Sequence, residues 1–232
     1  RTFVTSLLDA GDQLFQIPPD PMAGVTAWQG AWSGAAQIDI NSFRPAGLIG
    51  LWVLGGCADL PREAVSSLLR PLALMDTGAR IGVAAADEAR QLPTPQAVKV
   101  AAVSAAGASK NDIEVKEFLH GVRPFQHDLP QVPSEARELP VLGEYDVVVV
   151  GGGTGGAPAG IGAGRQGVKT LVIETQYNLG GVGTIGMIGG YYFGNRSGFT
   201  KEHDADVVKL GAKVHLVGKT ECWRRENRRA GT

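Results

Sequence analysis

Five glycines and a threonine in the second half of the chain have the types and spacing of a phosphate-binding turn. The segment 151–156 reads GGGTGG, which gives the pattern G-x-G-x-x-G. In this pattern the first glycine allows a tight turn, the second lets the backbone approach a pyrophosphate, and the third lets the next helix pack closely on the preceding strand. The predicted phosphate contacts are Gly151, Gly152, Gly153, Thr154, Gly155 and Gly156.

An acidic residue follows this turn at the distance that a bound nucleotide requires. Glu174 lies 23 positions after Gly151, at the end of a second apolar run. A carboxylate in that place can accept hydrogen bonds from the ribose of an adenine dinucleotide. We therefore predict a ribose contact at Glu174.

The elements that must position these residues occur in the required order. Apolar runs at 145–150 and 169–173 predict two buried strands, and 154–166 predicts the helix between them. Strand, turn, helix, strand and acid together favour a dinucleotide fold over a glycine-rich turn with a structural role alone. The predicted fold class is α/β, a Rossmann-like FAD/NAD(P)-binding βαβ unit preceded by a mixed α/β amino-terminal region.

A second glycine-rich turn follows the acid. The chain reads GGVGT at 180–184, after five intervening residues. Such a turn beside the first would supply more backbone N–H donors and room for an extended ligand. Its predicted contacts are Gly180, Gly181, Gly183 and Thr184. The alternative is a plain loop.

The segment 145–200 resembles the amino-terminal part of a bacterial family of FAD-dependent oxidoreductases, which are flavoproteins with two dinucleotide-binding domains. The resemblance rests on the first turn and on the continuation E-x5-G-G-x-x-T at 174–184, which NAD-linked Rossmann domains usually lack. It implies that FAD is the cofactor, that the first turn binds its pyrophosphate, that Glu174 binds its ribose, and that the second turn adds another FAD contact. The flavin would perform the redox chemistry itself, so no catalytic residue is assigned.

The helix after the first turn departs from the pattern of that family. Pro158 lies early in the helix, and Gly160, Gly162 and Gly164 stand where alanine is usual. Each glycine costs up to about 1 kcal/mol of helix propensity. We expect tight packing or bound FAD to compensate.

The front of the chain is similar to the closing segment of the same family's FAD domain. The similarity rests on an apolar run at 48–54, the sequence GGC at 55–57, and an alanine-rich helix further on. It implies that Asp76, Thr77 and Gly78 approach the flavin through backbone groups at the start of that helix. The alternative is a helical accessory region.

Shorter patterns predict the remaining secondary structure. We expect a helix that begins near Pro61 with Asp59 as its cap and that ends or kinks at Pro71. The other expected elements are a hairpin at 25–40, a buried strand at 46–54, a helix at 78–90, a strand at 98–103 and a helix at 112–119.

Three domains follow from these patterns and from the position of the prolines. The predicted division is an α/β region at 1–122, a proline-rich linker at 123–142, and the FAD-binding unit at 143–232, incomplete at its carboxy end. The first residue, Arg1, also suggests a fragment. The arginine-rich tail at 221–232 is expected to be a solvated end, a truncation or the remnant of a frame shift.

Composition excludes several classes of partner. A formal net charge of −1 gives no general attraction to nucleic acid, and no apolar run is long enough to span a membrane. Two cysteines are too few for a disulfide framework, which makes the cytoplasm the default location. The four histidines lack the spacing of metal ligands, so no metal is predicted.

The sequence thus favours an FAD-dependent oxidoreductase, or a portion of one, that takes hydride or electrons from an unidentified small organic molecule. Two alternatives remain. One is a fragment that binds a dinucleotide without turnover, and the other is an NAD-dependent dehydrogenase. The substrate, the electron acceptor and the oligomeric state are not determined by the sequence.

Overall fold

A computed structural model describes residues 17–18, 21–93, 140–188, 190, 195–211 and 215–232 of the chain. Its described helices are α1 (Arg62–Leu68), α2 (Pro71–Ala89), α3 (Gly156–Gly164), α4 (Gly198–Lys209) and α5 (His215–Ala230). Its described strands are β1 (Val147–Val150) and β2 (Thr170–Ile173), and short 3-10 helices occupy Ile40–Phe43 and Gly181–Gly183.

The chain divides into two compact units, one of residues 1–93 with 145–232 and one of residues 94–144. In the smaller unit the structure describes 140–144, which are exposed coil. The predicted strand at 98–103 and helix at 112–119 lie outside the described residues, as does most of the predicted linker. The division into three domains therefore stays a prediction.

The two strands form the parallel pair that the sequence predicted. Val147 lies opposite Thr170 and Val150 lies opposite Ile173, with α3 as the connection between the strands. Gly167, at φ +78°, turns the chain out of the helix toward β2 in a conformation that glycine adopts without strain. The α/β fold class is thus confirmed.

The strands are shorter and less buried than predicted. Val147 is buried in β1, whereas Val148 is 49% exposed and Val150 is 83% exposed. In this pair, α3 packs on one face of the sheet. Among the described residues no second layer covers the other face, although parallel sheets are usually covered on both. The prediction of a strand that is buried throughout is therefore wrong.

Helix α3 is buried along nearly its whole length, because its glycines let neighbouring backbones come close. Every residue after Gly156 is buried. A Cβ built at Gly162 would overlap the carbonyl oxygen of Ala79 in α2, and one at Gly164 would overlap that of Ala230 in α5. Pro158 is tolerated because it lies in the first turn, where its missing N–H would have no intrahelical partner. Tight packing thus compensates for the poor helix propensity.

Prolines set the start of both front helices, and the predicted start of the first one near Pro61 is confirmed. Helix α1 begins directly after Pro61 and has no side-chain cap. Asp59, the predicted cap, instead accepts a hydrogen bond from the backbone N–H of Gly24 at 2.8 Å. Helix α2 begins at Pro71, well before the predicted start at 78, because proline is favoured in a first helical turn.

The predicted strand at 46–54 and hairpin at 25–40 do not form. Gly47 and Gly50 both have positive φ, at +79° and +72°, which turns the chain where a strand would have to stay extended. A single bridge between Gly24 and Pro45 is the described remnant of pairing in this region. The apolar run 48–51 is largely exposed, so its continuous hydrophobicity misled the prediction.

The tail is part of the core, contrary to the prediction of a solvated end. Residues 215–230 form α5, which buries Cys222, Trp223, Glu226 and Asn227. Trp223 belongs to a core cluster with residues of α2, α3 and α4, including Met75, Ile161 and Phe199. The arginines of the tail stay at the surface, where Arg224 and Arg225 pair with Glu221 and Arg229 pairs with Glu226.

Candidate functional site

The first glycine turn joins the end of β1 to the start of α3. Gly151 has φ +93°, and its N–H donates to the carbonyl of Ile173 at 2.8 Å, which continues the pairing of the strands. A Cβ at Gly153 would meet no described residue within 4 Å, whereas one at Gly156 would overlap the carbonyl oxygen of Gly151. The three motif glycines therefore provide a sharp turn, an open backbone surface and a close helix contact, in that order.

The start of α3 lies directly behind this open surface. Gly155 precedes the helix without a side-chain cap, and the N–H of Ala157 donates to the carbonyl of Gly153 at 3.0 Å. The first N–H groups of a helix have no intrahelical acceptor and carry the positive end of the helix dipole. An anion placed against Gly153 would therefore meet donors and a favourable field.

Glu174 lies at the end of β2 and bonds to the first turn. One carboxylate oxygen, Oε2, accepts from the N–H of Gly152 at 2.7 Å. The other, Oε1, accepts from the N–H of Gln176 at 2.8 Å and from the hydroxyl of Thr175 at 3.2 Å. These donors, with Gln176 as the largest cause, hold the pKa of Glu174 below its ordinary value. Because a carboxylate oxygen can accept more than one bond, capacity for a further donor remains.

The second glycine turn packs directly on the first. Gly180 has φ +96°, and its N–H donates to the carbonyl of Gly152 at 2.9 Å. A Cβ at Gly181 would lie 3.1 Å from both the Cα of Gly153 and the N of Thr154. The hydroxyl of Thr154 is 3.3 Å from the carbonyl oxygen of Gly180, to which it donates. The structure thus brings the two predicted groups of contacts together.

The end of the second turn is fixed by its own threonine. The hydroxyl of Thr184 donates to the carbonyl of Leu179 at 2.7 Å and is 3.2 Å from that of Gly181. Gly183 is buried at the end of the 3-10 helix Gly181–Gly183. The predicted residues of this turn therefore form one folded unit rather than a plain loop.

A cavity of about 440 Å³ opens beside the first turn. It lies between β1, α2 and the segment 50–54, and Gly151, Gly153 and Gly155 contribute to its wall. Most of its other lining residues are apolar, and Glu88 is bonded to Arg44 and to the indole N–H of Trp52. The glycine turn is therefore accessible from this side.

Asp76, Thr77 and Gly78 do not lie at a helix start, so the predicted approach to a flavin through their backbone groups is wrong. All three are buried in the interior of α2, where backbone N–H groups are bonded within the helix. Asp76 accepts from the N–H of Thr200 at 2.9 Å and from the hydroxyl of Ser197 at 2.9 Å. Burial raises the pKa of this carboxyl. Asp76 thus holds the start of α4.

Gly78 has a different role, which the sequence did not reveal. A Cβ at Gly78 would overlap the carbonyl oxygen of Gly155, at the start of α3. One turn further along α2, a Cβ at Gly82 would overlap that of Ala159. The two glycines let α2 press against the start of α3 and support the first turn from behind. Their four-residue spacing was the available signal.

Two titratable side chains are buried near the site without facing it. The Sγ of Cys222 lies 3.4 Å from the Nδ1 of His203. Burial raises the pKa of the Cys222 thiol to about 12 and lowers that of His203 to about 4. Both groups are therefore neutral at pH 7, and the cysteine is not a reactive thiolate.

Carboxylates on two helices form one cluster among the described residues. Oxygens of Glu202, Asp206 and Glu226 lie within 4.8 Å of one another. Glu226 is already paired with Arg165 at 2.8 Å and with Arg229 at 2.6 Å. These ion pairs account for the cluster.

None of the described helices is both long and apolar enough to cross a membrane.

Two adjoining glycine turns, at the ends of parallel strands that a helix connects, define a Rossmann-like dinucleotide-binding unit. Residues 146–218 match the family model described as FAD dependent oxidoreductase. This segment is similar to that family, which implies FAD as the cofactor. The resemblance found in the sequence is thus confirmed for the family.

Two curated relatives match parts of the chain. Dihydrolipoyl dehydrogenase, mitochondrial, of Dictyostelium discoideum is 41% identical over 75 residues, which are 32% of this chain and 15% of that protein. Dihydrolipoyl dehydrogenase of Trypanosoma brucei brucei is 51% identical over 45 residues, which are 19% of this chain and 9% of that protein. The chain therefore spans a small part of these relatives. Both come from eukaryotes, so a bacterial source stays a prediction. No solved structure matches the chain significantly.

Proposed function

We propose that the first glycine turn and Glu174 bind the ADP half of FAD, that the second turn binds the part of the cofactor beyond the pyrophosphate, and that the protein acts as an FAD-dependent oxidoreductase. Its substrate would be a small organic molecule that gives up hydride or electrons. The relatives are dihydrolipoyl dehydrogenases by name, which supports an oxidoreductase but does not identify the substrate. The substrate class and the electron acceptor are left open.

The observation that carries the proposal is the open backbone at Gly153. No atom of the described part of the chain lies within 4 Å of the Cβ position of this glycine, although it lies between a strand, a helix and a second turn. Its backbone conformation is one that other residues adopt, so the turn itself does not require glycine there. A ligand that comes into contact with the backbone does require it.

We assign a role in FAD binding to each predicted contact. The first turn, Gly151 to Gly156, would hold the pyrophosphate against the start of α3. Glu174 would accept bonds from the adenosine ribose, since its oxygens have spare capacity. Gly180, Gly181, Gly183 and Thr184 would line the continuation of the ligand beyond the pyrophosphate. When bound, FAD would supply the hydride chemistry, while these residues bind and orient it.

The first experiment is an absorbance spectrum of the purified protein after incubation with FAD and desalting. We expect retained flavin bands in the wild type and their loss in Gly153→Val, because the added side chain fills the place of the pyrophosphate. Gly55→Val is the matched control, because Gly55 also has open space around its Cβ position and lies outside the turn. Both variants should fold, as judged by circular dichroism.

Flavin retained equally by Gly153→Val would exclude the assigned site. A wild type that binds NAD but no flavin would favour the NAD-dependent dehydrogenase. A wild type that binds FAD, becomes photoreduced and turns over no substrate would favour a module that binds without catalysis. The cytoplasmic location and the absence of nucleic-acid partners stay predictions from the sequence. The name of one relative places that protein in mitochondria.

A further inference from the structure

We infer that Trp223, in the arginine-rich tail, is a positioning residue of the FAD site. Its indole holds the second glycine turn against the first, so that the affinity for FAD depends on a side chain that does not touch the cofactor. This inference rests on the proposed function. It extends the site to a helix that follows the second turn by about 30 residues.

The indole of Trp223 lies against the backbone of Gly180. A Cβ at Gly180 would lie 2.5 Å from the indole Cδ1 and would overlap Nε1. Gly180 therefore has no room for a side chain, and Trp223 has no room to move toward the turn. Trp223 is fully buried, and its Nε1 has no hydrogen-bond partner among the residues that the structure describes. Because the described residues offer this N–H no acceptor, the packing of neighbouring groups holds the indole in place.

Two aromatic rings of α4 fix the orientation of the indole, and an amide on α5 bonds to the backbone of the same residue. The ring of His203 stacks on it with a centroid distance of 4.2 Å, and the ring of Phe199 lies at 5.7 Å. The side-chain amide of Asn227, one turn along α5, donates to the backbone carbonyl of Trp223 at 2.9 Å. Two side chains of helix α4 thus pack against the indole.

The indole contacts the second turn, and the second turn contacts the first. Gly180 is bonded to Gly152, and the position of a Cβ at Gly181 is 3.1 Å from the Cα of Gly153. A smaller side chain at Trp223 would leave a cavity behind Gly180 into which the turn can relax. The turn would then withdraw from Gly153, which alters the part of the site that lies beyond the pyrophosphate.

This geometry predicts a difference between two ligands. ADP would contact the first turn and Glu174, whereas FAD would in addition contact the second turn. Loss of the indole should therefore weaken FAD more than ADP. A residue that only stabilises the fold would change both affinities alike, so the ratio of the two dissociation constants distinguishes the roles.

The test measures the dissociation constants of FAD and ADP by calorimetry for the wild type, Trp223→Leu and Trp223→Phe. We expect Trp223→Leu to weaken FAD about tenfold more than ADP. Trp223→Phe keeps an aromatic ring next to Gly180 but fills less of the space behind the turn, and should weaken FAD roughly threefold more than ADP. Phe43→Leu is the control, because Phe43 is equally buried in a different core cluster. It should leave the ratio unchanged.

Three results would overturn the inference. Equal losses for FAD and ADP in Trp223→Leu would show a structural role alone. If that variant does not fold, an unchanged ratio in Trp223→Phe leads to the same conclusion. A wild type that binds neither ligand overturns the proposed function and this inference together. If the wild type binds both ligands but the Trp223 variants leave the ratio of the two dissociation constants unchanged, only the role of Trp223 is overturned.

Discussion

The two glycine turns are in contact, yet different parts of the chain hold them in place. The first turn is fixed by the strand before it and the helix after it, with Gly151 bonded to Ile173 and Gly156 against the carbonyl of Gly151. The second turn rests on the first and on Trp223, from a helix that comes much later in the chain. A turn between regular elements is thus set locally, whereas a turn inside a loop needs a tertiary support.

The largest effect should come from Gly156, the residue that closes the first turn. In Gly156→Ala the new Cβ would overlap the carbonyl oxygen of Gly151, and its distance from the carbonyl carbon would be 2.9 Å. Both atoms belong to the backbone, so the turn must open. We expect a loss of about 3 kcal/mol in the free energy of unfolding, measured with a chemical denaturant.

Gly153→Ala is the control for this loss. Gly153 lies in the same turn, but its Cβ position is open, and we expect a change below about 0.5 kcal/mol. If both variants lose the same stability, the close contact at Gly156 is not what holds the first turn, and the contrast between the turns fails.

A smaller effect is expected at Gly180, where the second turn meets Trp223. Gly180→Ala combines strain at φ +96° with a contact on the indole, and we expect a loss of about 2 kcal/mol in the free energy of unfolding. Gly151→Ala has a similar φ of +93° but open space around the Cβ, so it should lose only the strain, about 1 kcal/mol. The difference measures the contact of the new methyl group with Trp223 and with the Cγ2 of Thr184, which is 3.0 Å from the Cβ position.

Equal losses in Gly180→Ala and Gly151→Ala would mean that the indole does not press on the second turn. Double variants that combine each of these substitutions with Trp223→Leu provide a second measurement. If the indole is the obstacle, its removal should recover part of the loss in Gly180→Ala and none of that in Gly151→Ala.

The smallest effect should come from Glu174, which links the first turn to the end of β2 through Gly152. Its carboxylate is accessible to solvent, so Glu174→Gln should lose only about 0.5 kcal/mol in the free energy of unfolding at pH 7. Backbone donors lower the pKa of Glu174 in the folded state. Its stabilisation is therefore present above the ordinary glutamate pKa and is lost as the pH falls through the lowered value.

Unfolding curves of the wild type and Glu174→Gln, recorded from pH 7 down to acid, test this dependence. The difference between the two proteins should shrink as the pH falls below the ordinary glutamate pKa. A difference that stays constant over that range would show that the charge of Glu174 does not hold the first turn.

The same contrast explains which sequence-based predictions were correct. The βαβ unit was predicted because its signals are local: the strands are runs of apolar residues, and the turn between them is spelled out by glycines. The prediction of a strand at 46–54 was wrong, because an apolar run does not show whether its glycines turn the chain. The tail failed as well, because its charged sequence gives no sign that Trp223 faces a core.

The sequence by itself determined the parallel strands, the connecting helix and the positions of both glycine turns, because each depends on residues within a few positions of one another. Only the tertiary structure decided that Gly78 and Gly82 press α2 against α3, that Asp76 holds the start of α4, and that Trp223 lies behind Gly180. Such contacts join residues that are far apart in the chain. They depend on how helices pack, which a local pattern does not specify.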